Sequence, residues 1–464
     1  MKITEMTVGD SLAGFIIDGV DDTPYAHASL VIDEHWGPTL EFSYPLQFSD
    51  EQPETGQHTE VHRWAQEPDA VPDVLHFSSA DGQATLYGCA LLRSKENFTT
   101  GVNFTLRPET VIFNFFEPEF GQPLKLNWMK SSISGLGEFI GKSVFETNRE
   151  ADEEGRSQSF SATVRSPDAI TMQVGNCEVS LTISWRSSIQ NGLELHMYAV
   201  AWFETSFASA VNVEEHLMIH RQMRAILALN YGRSAWISGH RVRPGAAQNE
   251  LEMTHVSTFT DAAKEAARKR ESILGLSSMQ EVDLNRLVEW LSDRDYWSRV
   301  SGPVLGILQR ESYTVEDRVL AVGISIETIG KRLEAASGEE CTYGGRSGTQ
   351  RTTATWMYRC IAGSKLDLSA SGHSHEALAK AFAQVYNKTK HYEQNRQPEG
   401  VVTREIGRMG LLVVRAISLR HLLTTNENSR LSDSLETSRV SERLRDLRIA
   451  DDGWATYHRT ETED

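Results

Sequence analysis

The sequence predicts an α+β protein of more than one domain, in which a β-rich N-terminal domain precedes an all-α helical bundle. A chain of 464 residues is too long for a single hydrophobic core. Its composition, 39% hydrophobic and 24% charged, is typical of globular proteins. Near residue 205 the spacing of apolar residues changes from every second residue to a helical period. We therefore place the β-rich domain at 1–205, a helical and irregular connector at 206–280, the helical bundle at 281–450 and a polar tail at 451–464.

Short apolar runs separated by turn residues predict the strands of the first domain. Alternation of apolar and polar residues, with many β-branched and aromatic side chains, is typical of half-buried strands. The runs lie at 12–19, 28–33, 39–46, 73–79, 83–93, 109–116, 178–188 and 193–204. The acidic segment NREADEEGRSQ at 148–158 has no apolar anchor, so we predict a solvated loop there.

Amphipathic spacing predicts the helices. The first, SAVNVEEHLMIHRQMRAILALNYG, ends at Gly232, and glycine is typical of helix C-caps. The bundle helices follow at 281–300, 315–336, 350–363, 373–393, 403–425 and 433–448. Apolar residues three and four positions apart, such as Leu284, Leu287 and Leu291, would face a shared core.

Charge and cysteine content exclude several classes of protein. A formal net charge of −18 argues against a protein that coats nucleic acid over its whole surface, although a local basic site remains open. The four cysteines lie far apart without a Cys-x-x-Cys pair, so neither a zinc ribbon nor a disulfide framework is indicated. The N-terminus lacks the features of a secretory signal, and no segment approaches the roughly 20 apolar residues that span a bilayer. We expect a cytoplasmic protein without a membrane partner.

Three motifs have simple structural explanations. SGLGEFIGKS at 134–143 resembles a phosphate-binding loop, but Leu136 stands where the first glycine is required, so a nucleotide-dependent enzyme using Lys142 is a minor alternative. His216 and His220 lie one helical turn apart without an identifiable third ligand, so we predict no metal site. His373 and His375 fall at a helix start, where short polar residues serve as caps.

The stretch YNKTKHYE at 386–393 is the strongest candidate for a catalytic site. In a helix Asn387 and His391 lie one turn apart on a common face, with Lys388 and Tyr386 beside them. The segment from Tyr386 to Arg420 contains seven Lys or Arg against three Glu, within an acidic chain. Histidine transfers protons near neutral pH, and Lys, Arg or Asn stabilises charge that develops on a phosphate. The pattern favours cleavage of RNA, while a solvated helix face is the structural alternative.

The C-terminal half resembles the HEPN domain of ApeA-type abortive-infection proteins of bacteria. There a helix ends in a pattern similar to Arg-Asn-x-x-x-His-Tyr followed by an acid, and YNKTKHYE supplies Asn387, His391, Tyr392 and Glu393 in register. The N-terminal half looks like the domain that accompanies it, through its strand pattern, its length and the phrase GLGEFIG.

The resemblance implies an anti-phage endoribonuclease that needs no metal and no cofactor. It implies RNA as the substrate, a homodimer or higher homo-oligomer formed through the HEPN domain, and a phage protein as the trigger. The catalytic set would be His391 for proton transfer, Asn387 for positioning the phosphate, and Lys388 and Tyr386. The residues that would contact RNA are Lys390, Tyr392 and Arg396.

One position departs from the family pattern, because Tyr386 stands where arginine is expected. A phenol supplies neither a permanent charge nor a guanidinium fork. Three interpretations stay open: Lys388 or Lys390 supplies the charge, an arginine enters from elsewhere or from a partner protomer, or catalysis is lost and the domain is a binding module. A second match, Arg415-x5-His421, lies in a strongly apolar helix and is a secondary candidate.

Overall fold

The computed structural model describes most of the chain and divides it into two compact units. The first comprises Met1–Ile133, Ser166–His220 and Trp236–Ser272, and the second comprises Ser134–Arg165, Arg221–Ala235 and Ile273–Asp464. The described residues are 2–17, 26–44, 64, 67–97, 101–116, 122–151, 157–190, 194–244, 249–259, 275–310, 312–345, 347–391, 397–424, 431 and 434–458. Within these ranges no helix has the length and apolar content needed to cross a membrane.

The described residues of the first unit form a sheet of 14 strands in which every neighbouring pair is antiparallel. The strands are β1 (Ser11–Ile17), β2 (Ala26–Asp33), β3 (Gly37–Tyr44), β4 (Val74–Ser79), β5 (Gly82–Tyr87), β6 (Ala90–Asn97), β7 (Gly101–Arg107), β8 (Thr110–Phe113), β9 (Lys125–Ile133), β12 (Ile170–Val174), β13 (Cys177–Gln190), β14 (Glu194–Asn212), β15 (Ile237–Pro244) and β16 (Leu251–His255). Their order across the sheet is β12-β13-β14-β9-β15-β16-β8-β5-β4-β1-β2-β3-β7-β6.

The core of the first unit follows from the alternation seen in the sequence. In β2 every second residue is buried, so one face of the strand packs inward. The largest fully buried side chains of this unit include Trp64, Phe77 and Phe203. The prediction of a β-rich N-terminal region is confirmed.

The segment 206–280 differs from the predicted helical and irregular connector. It contains helix α2 (Val213–Tyr231), but also β15 and β16, which pair with β9 and β8 of the sheet. In β15 the buried positions include His240 and Pro244, and exposed or half-buried arginines alternate with them. Because a histidine and a proline stand where aliphatic residues mark most strands, the alternation is hard to recognise in the sequence.

The second unit is built mainly of helices, which confirms the predicted all-α C-terminal region. Its core includes Val322, Phe382, Met409 and Val413, all fully buried. The helices are α1 (Leu136–Ile140), the end of α2, α3 (Leu284–Ser292), α4 (Arg294–Leu308), α5 (Val315–Arg332), α6 (Thr353–Ser364), α7 (His375–Lys390), α8 (Gly400–Leu422) and α9 (Leu435–Leu444).

The predicted helix at 281–300 is two helices that meet at Asp293. This residue has φ −88° and ψ 60°, outside the helical region, and it is the C-cap of α3 and the N-cap of α4. Helix α4 continues past the predicted end at residue 300 to Leu308, with Pro303 inside it. The polar run at 292–295 leaves the hydrophobic period unbroken, so spacing alone did not predict the break.

Two polar segments form hairpins. The predicted loop at 148–158 begins within β10 (Phe145–Ala151) and resumes in β11 (Ser157–Val164), and residues 152–156 lie outside the described ranges. From Glu146 to Glu150 each side chain of β10 is exposed, so this two-stranded ribbon carries no apolar alternation. In the predicted polar tail, β18 (Ala455–Tyr457) pairs with β17 (Leu447–Ile449).

Candidate functional site

The predicted catalytic stretch forms the end of helix α7. Ser374 caps the start of this helix, because its Oγ accepts a hydrogen bond of 3.1 Å from the Ala377 N–H. The neighbouring His373 instead donates from Nε2 to the Leu447 carbonyl oxygen at 3.0 Å. At the other end the His391 N–H donates to the Asn387 carbonyl oxygen at 2.8 Å, which closes the last turn. His391 is therefore the C-cap of α7.

Tyr386 belongs to the hydrophobic core. Only 3% of the residue is exposed, and its ring stacks on Phe382 with 6.2 Å between ring centroids. On its other side Tyr386 contacts α5 at Gly323, where an added Cβ atom would overlap the ring. Helices α5 and α7 approach closely at this point because Gly323 has no side chain.

Lys390 lies beside Tyr386, one turn further along α7. Its Nζ is 5.5 Å from the centroid of the tyrosine ring, within cation–π distance. Burial raises the pKa of Tyr386, the Glu327 carboxylate raises it further, and Lys390 acts in the opposite direction. The phenol is therefore protonated at neutral pH, and the positive charge at this place belongs to the exposed Lys390.

The remaining predicted residues lie on the solvent side of α7. Asn387 and His391 are exposed and Lys388 is half-buried, whereas Tyr392 and Arg396 lie outside the described residues. The structure thus brings Asn387 and His391 to the exposed end of α7 and separates both from Tyr386, which packs inward. Their catalytic roles remain predictions.

Part of the positive charge between Tyr386 and Arg420 is neutralised within the fold. Glu405 is buried, and its Oε1 lies 2.6 Å from Arg404 Nε and 3.0 Å from Arg408 Nη1. Arg443 Nη1 lies 3.9 Å from the other oxygen of the same carboxylate. A buried carboxylate needs such partners to offset its desolvation. These arginines stabilise the fold, so the charge that could attract RNA is concentrated in fewer side chains.

Arg415, the first member of the secondary motif, has a structural role. Its side chain is 3% exposed, and it pairs with Glu436 through Nη1. Its Nε donates to the Leu229 carbonyl oxygen at 2.7 Å and its Nη2 donates to that of Asn230 at 3.2 Å. These carbonyls end helix α2, where helices leave acceptors unsatisfied. Arg415 therefore serves as a C-terminal cap for α2 rather than as a partner of His421.

His421, the second member of that motif, lies at the rim of a cavity in the helical unit. Its side chain is 45% exposed, and its ring centroid is 5.2 Å from that of Trp297. Burial lowers the pKa of His421, although Glu289, 3.8 Å away, acts in the opposite direction. The sequence did not predict the surroundings of His421, because Tyr296, Trp297 and Arg332 come from helices far apart from it in the chain. The only local signal was the cluster of Trp290, Tyr296 and Trp297.

The GKS motif at 141–143 is not a phosphate-binding loop. Gly141 has φ +69° and ends the short helix α1, and the chain then enters strand β10. A phosphate-binding loop instead lies between a strand and the start of a helix. The segment is a short helix with a glycine in the left-handed conformation at each end, Gly135 and Gly141.

His216 and His220 form a buried hydrogen-bond network with Thr205. The His216 Nε2–H donates to the Leu126 carbonyl oxygen at 3.0 Å, so His216 Nδ1 accepts from the Thr205 hydroxyl at 2.8 Å. That hydroxyl accepts in turn from His220 Nε2 at 2.9 Å. Burial lowers the pKa of His216 to about 4 and that of His220 well below its usual range. The network agrees with the structural role expected for both residues.

One group of described side chains has the composition of a metal site. Ligand atoms of Glu109, Glu214 and His255 all lie within 4.8 Å of one another. However, the Ser257 N–H donates to His255 Nδ1 at 3.2 Å, so the proton of the neutral ring lies on Nε2, which faces the two carboxylates. A metal would need the lone pair of that same nitrogen. The group therefore suits a histidine–carboxylate contact better than a metal ion.

Comparison with known proteins yields one family. The family model described as ApeA N-terminal domain 1 matches residues 21–274, a little over half of the chain. The matched range includes the sheet strands β15 and β16 as well as helix α2. No curated protein and no solved structure matches the chain.

Proposed function

The chain belongs to the ApeA family of anti-phage abortive-infection proteins, and on that premise we propose that its helical unit is a HEPN domain that cleaves RNA. In this proposal the β-rich unit senses a phage protein or regulates the helical unit, and two or more copies of the chain associate through the HEPN domain. Cleavage of host or phage RNA would then halt growth of the infected cell.

The observation that carries the proposal is the exposed end of helix α7. Asn387 and His391 lie one turn apart at this end, and both are accessible to a large substrate. The helix is capped at its start and packed along its length by Leu378 and Phe382, so its last turn is held on a rigid element. A rigid support is what a catalytic pair requires.

These side chains suit a cleavage of RNA that needs no metal ion. His391 would take the proton of a ribose 2′-hydroxyl, whose oxygen then attacks the adjacent phosphorus while the bond to the 5′-oxygen breaks. Asn387 would donate its amide N–H to a phosphate oxygen on which charge develops. The leaving 5′-oxygen needs a proton from a second acid, for which the His391 ring of another protomer is the natural source in a homo-oligomer.

Lys390 is the best candidate for the charge that the arginine of the family pattern would supply. It lies beside Tyr386, and its ammonium group is exposed to solvent. The buried Tyr386 is in this proposal a support for Lys390 and does not contact the substrate. Lys388, Tyr392 and Arg396 would add contacts to the RNA backbone.

The decisive experiment compares two histidines of the same helix. Purified protein is incubated with total cellular RNA in the presence of EDTA, and the products are separated on a denaturing gel. We expect His391→Ala to reduce cleavage at least a hundredfold, as is typical when a general base is removed.

The matched control is His375→Ala, because His375 is exposed at the opposite end of α7. This variant should cleave as well as the parent and arrest growth on infection equally. Equal cleavage by His391→Ala and the parent would show that His391 is not catalytic.

A second candidate function is a HEPN module that binds RNA or protein without cutting it. The burial of Tyr386 favours this alternative, because the position expected to hold a guanidinium faces the core instead of the surface. In that case the parent would retain RNA in a mobility-shift assay without producing fragments. Loss of cleavage in Asn387→Ala, with binding retained, would contradict this alternative.

A further inference from the structure

Four arginines of the helical unit lie together on helix α8 and its neighbours. Three of them approach the carboxylate oxygens of Glu405 within 3.9 Å, and the fourth packs against the same part of α8. Glu405 itself is buried, with 5% of its side chain exposed. The four are Arg318 of α5, Arg404 and Arg408 of α8, and Arg443 of α9, and we name them the arginine cluster.

Glu405 orients three of these guanidinium groups but offsets only one of their charges. Arg404 contacts the carboxylate through Nε at 2.6 Å, and within the described ranges its two Nη groups have no hydrogen-bond acceptor. These groups form the fork with which a guanidinium binds phosphate. The side chains of Arg404, Arg408 and Arg443 are 46%, 35% and 52% exposed. The three arginines therefore present an excess of positive charge to solvent.

Arg318 adds a charge that no carboxylate of the described residues offsets. A Cβ atom added at Gly407 would stand 3.4 Å from its Cδ, so its stem packs beside Arg404 and Arg408. Its guanidinium lies over the Tyr313 ring, and its Nη2 donates to the Tyr313 hydroxyl at 2.9 Å. Its Nε and Nη1 are buried and, among the described residues, have no hydrogen-bond partner. A cation that is partly removed from water is stabilised by an incoming anion.

The arginine cluster lies at the end of the helical unit that carries His391. Gly400, the first residue of α8, follows His391 by nine positions. A Cβ atom added at Gly410 would overlap the ring of Phe382, so α7 and α8 are in contact along their middle turns. Helices that a short connection joins in this way are antiparallel neighbours. Since the cluster occupies the first turns of α8, it lies on the side of the unit where α7 ends.

We propose that the arginine cluster anchors the phosphate backbone of RNA next to the nucleotide that reacts at His391. The inference rests on the proposed function, from which it takes RNA as the ligand. The net charge of the chain, −18, makes most of its surface unfavourable for RNA, so a local group of cations determines where the backbone binds. Contacts to phosphates position a strand without reading its sequence. The cluster would thus hold the strand, a task separate from proton transfer.

The test measures the binding of a labelled 2′-O-methyl oligoribonucleotide to the full-length protein by fluorescence anisotropy at several salt concentrations. A methylated 2′-oxygen cannot attack the phosphorus, so the probe stays intact even with an active ribonuclease. For a single strand, each phosphate contact contributes about 0.7 to the slope of log affinity against log salt. Arg404→Gln and Arg443→Gln should each reduce this slope by about 0.7, which corresponds to about fivefold weaker binding at about 0.1 M salt.

The matched control is Arg299→Gln, which removes an exposed arginine of α4. Trp297, two residues earlier, contacts His421 at the opposite end of α8, so Arg299 lies far from the cluster. This variant should bind as the parent does. Arg443→Lys keeps the charge and should retain the salt slope of the parent.

Arg443→Gln decides the test if Arg404→Gln does not fold, because the contact of Arg443 with Glu405 is the longest of the three. Two results would overturn the inference. One is an affinity and a salt slope of Arg443→Gln equal to those of Arg299→Gln. The other is the absence of binding of the probe to the folded parent.

Cleavage of unmodified RNA, measured separately, distinguishes this inference from the proposed function. A parent that yields no fragments, but whose affinity falls with Arg443→Gln, would refute the ribonuclease proposal and leave the inference standing. A parent that cleaves RNA, but whose affinity is unchanged by Arg443→Gln, would refute the inference alone.

Discussion

At the scale of single residues, the proposed ribonuclease site depends on Lys390, the lysine beside the buried Tyr386. Its ammonium group is the positive charge that lies beside the tyrosine, and it is exposed where a phosphate could reach it. A lysine there acts as a point charge without the bidentate geometry of arginine. The site would therefore bind phosphate less specifically than the family pattern implies.

Lys390→Gln should lower RNA cleavage about tenfold or more, because a positive charge near the reacting phosphate stabilises the transition state. The effect should shrink at high salt, since exposed charges are screened within about 8 Å at physiological ionic strength. Initial rates of cleavage of a labelled RNA, measured at low and at high salt, give the loss of activity and its salt dependence. Lys331→Gln, at an exposed lysine of α5, is the control, and equal rates for the two variants would remove Lys390 from the site.

The sequence predicted that Asn387 and His391 share one face of a helix, but it did not predict that Tyr386 is buried. Asn387 and His391 could be placed on one helix face from their spacing alone. The inward position of Tyr386 depends on Gly323, which lies on another helix 63 positions earlier in the chain. No pattern within a single segment of the sequence predicts a contact between two helices. The same limit explains why the cavity beside His421, lined by residues of four helices, was not predicted.

At the scale of elements, the end of helix α2 depends on a contact between a glycine and an arginine. Gly232 adopts φ +62°, which favours glycine at a helix C-cap, and an added Cβ would overlap the Arg415 guanidinium. Arg415 in turn binds the last carbonyls of α2. The cap therefore combines a backbone requirement with a steric one.

The two requirements can be separated by comparing two glycines with similar dihedral angles. Gly239 has φ +59° and nothing within 4 Å of an added Cβ. We expect Gly239→Ala to cost about 1 kcal/mol of stability through the backbone alone. Gly232→Ala should cost about 1–3 kcal/mol more, because Arg415 must move. Urea denaturation curves measure both, and equal costs would mean that Arg415 is not displaced.

Most elements with a clear hydrophobic period were predicted. The strand runs and most bundle helices follow from alternation and helical spacing, and the predicted C-cap at Gly232 is confirmed. Strands β7, β9 and β12 lie outside the predicted runs, although β9 and β12 alternate buried with more exposed residues. The other missed strands lack a clear hydrophobic period. β10 and β11 form an exposed ribbon, and two of the four buried residues of β15 are His240 and Pro244.

At the scale of the whole molecule, buried histidines link stability to pH. His76 and His216 are both buried, burial lowers the pKa of each to about 4, and both lie in the β-rich unit. In the unfolded chain each ring would take up a proton near pH 6.5. Because the folded pKa is the lower one, this contribution is present above pH 6.5 and is lost as the pH falls towards 4.

At pH 5 each such histidine should destabilise the fold by about 2 kcal/mol relative to pH 7.5. The measurement is the free energy of unfolding in urea at both pH values. His216→Gln should reduce the difference in unfolding free energy between the two pH values by the contribution of one histidine, because glutamine does not titrate. The exposed His35→Gln is the control, and an unchanged pH dependence in His216→Gln would contradict the assignment.

The close contact between Gly323 and Tyr386 also limits how this protein can change over generations. An arginine at 386 would place a charged group in the buried space that the phenol ring fills, near Glu327. Substitution of Gly323 by a larger residue would displace the ring of Tyr386. Neither position can be altered alone without a loss of stability, so the two are expected to be inherited as a pair. Relatives with arginine at 386 should then also differ at 323, a pattern of epistasis that sequencing of homologues can reveal.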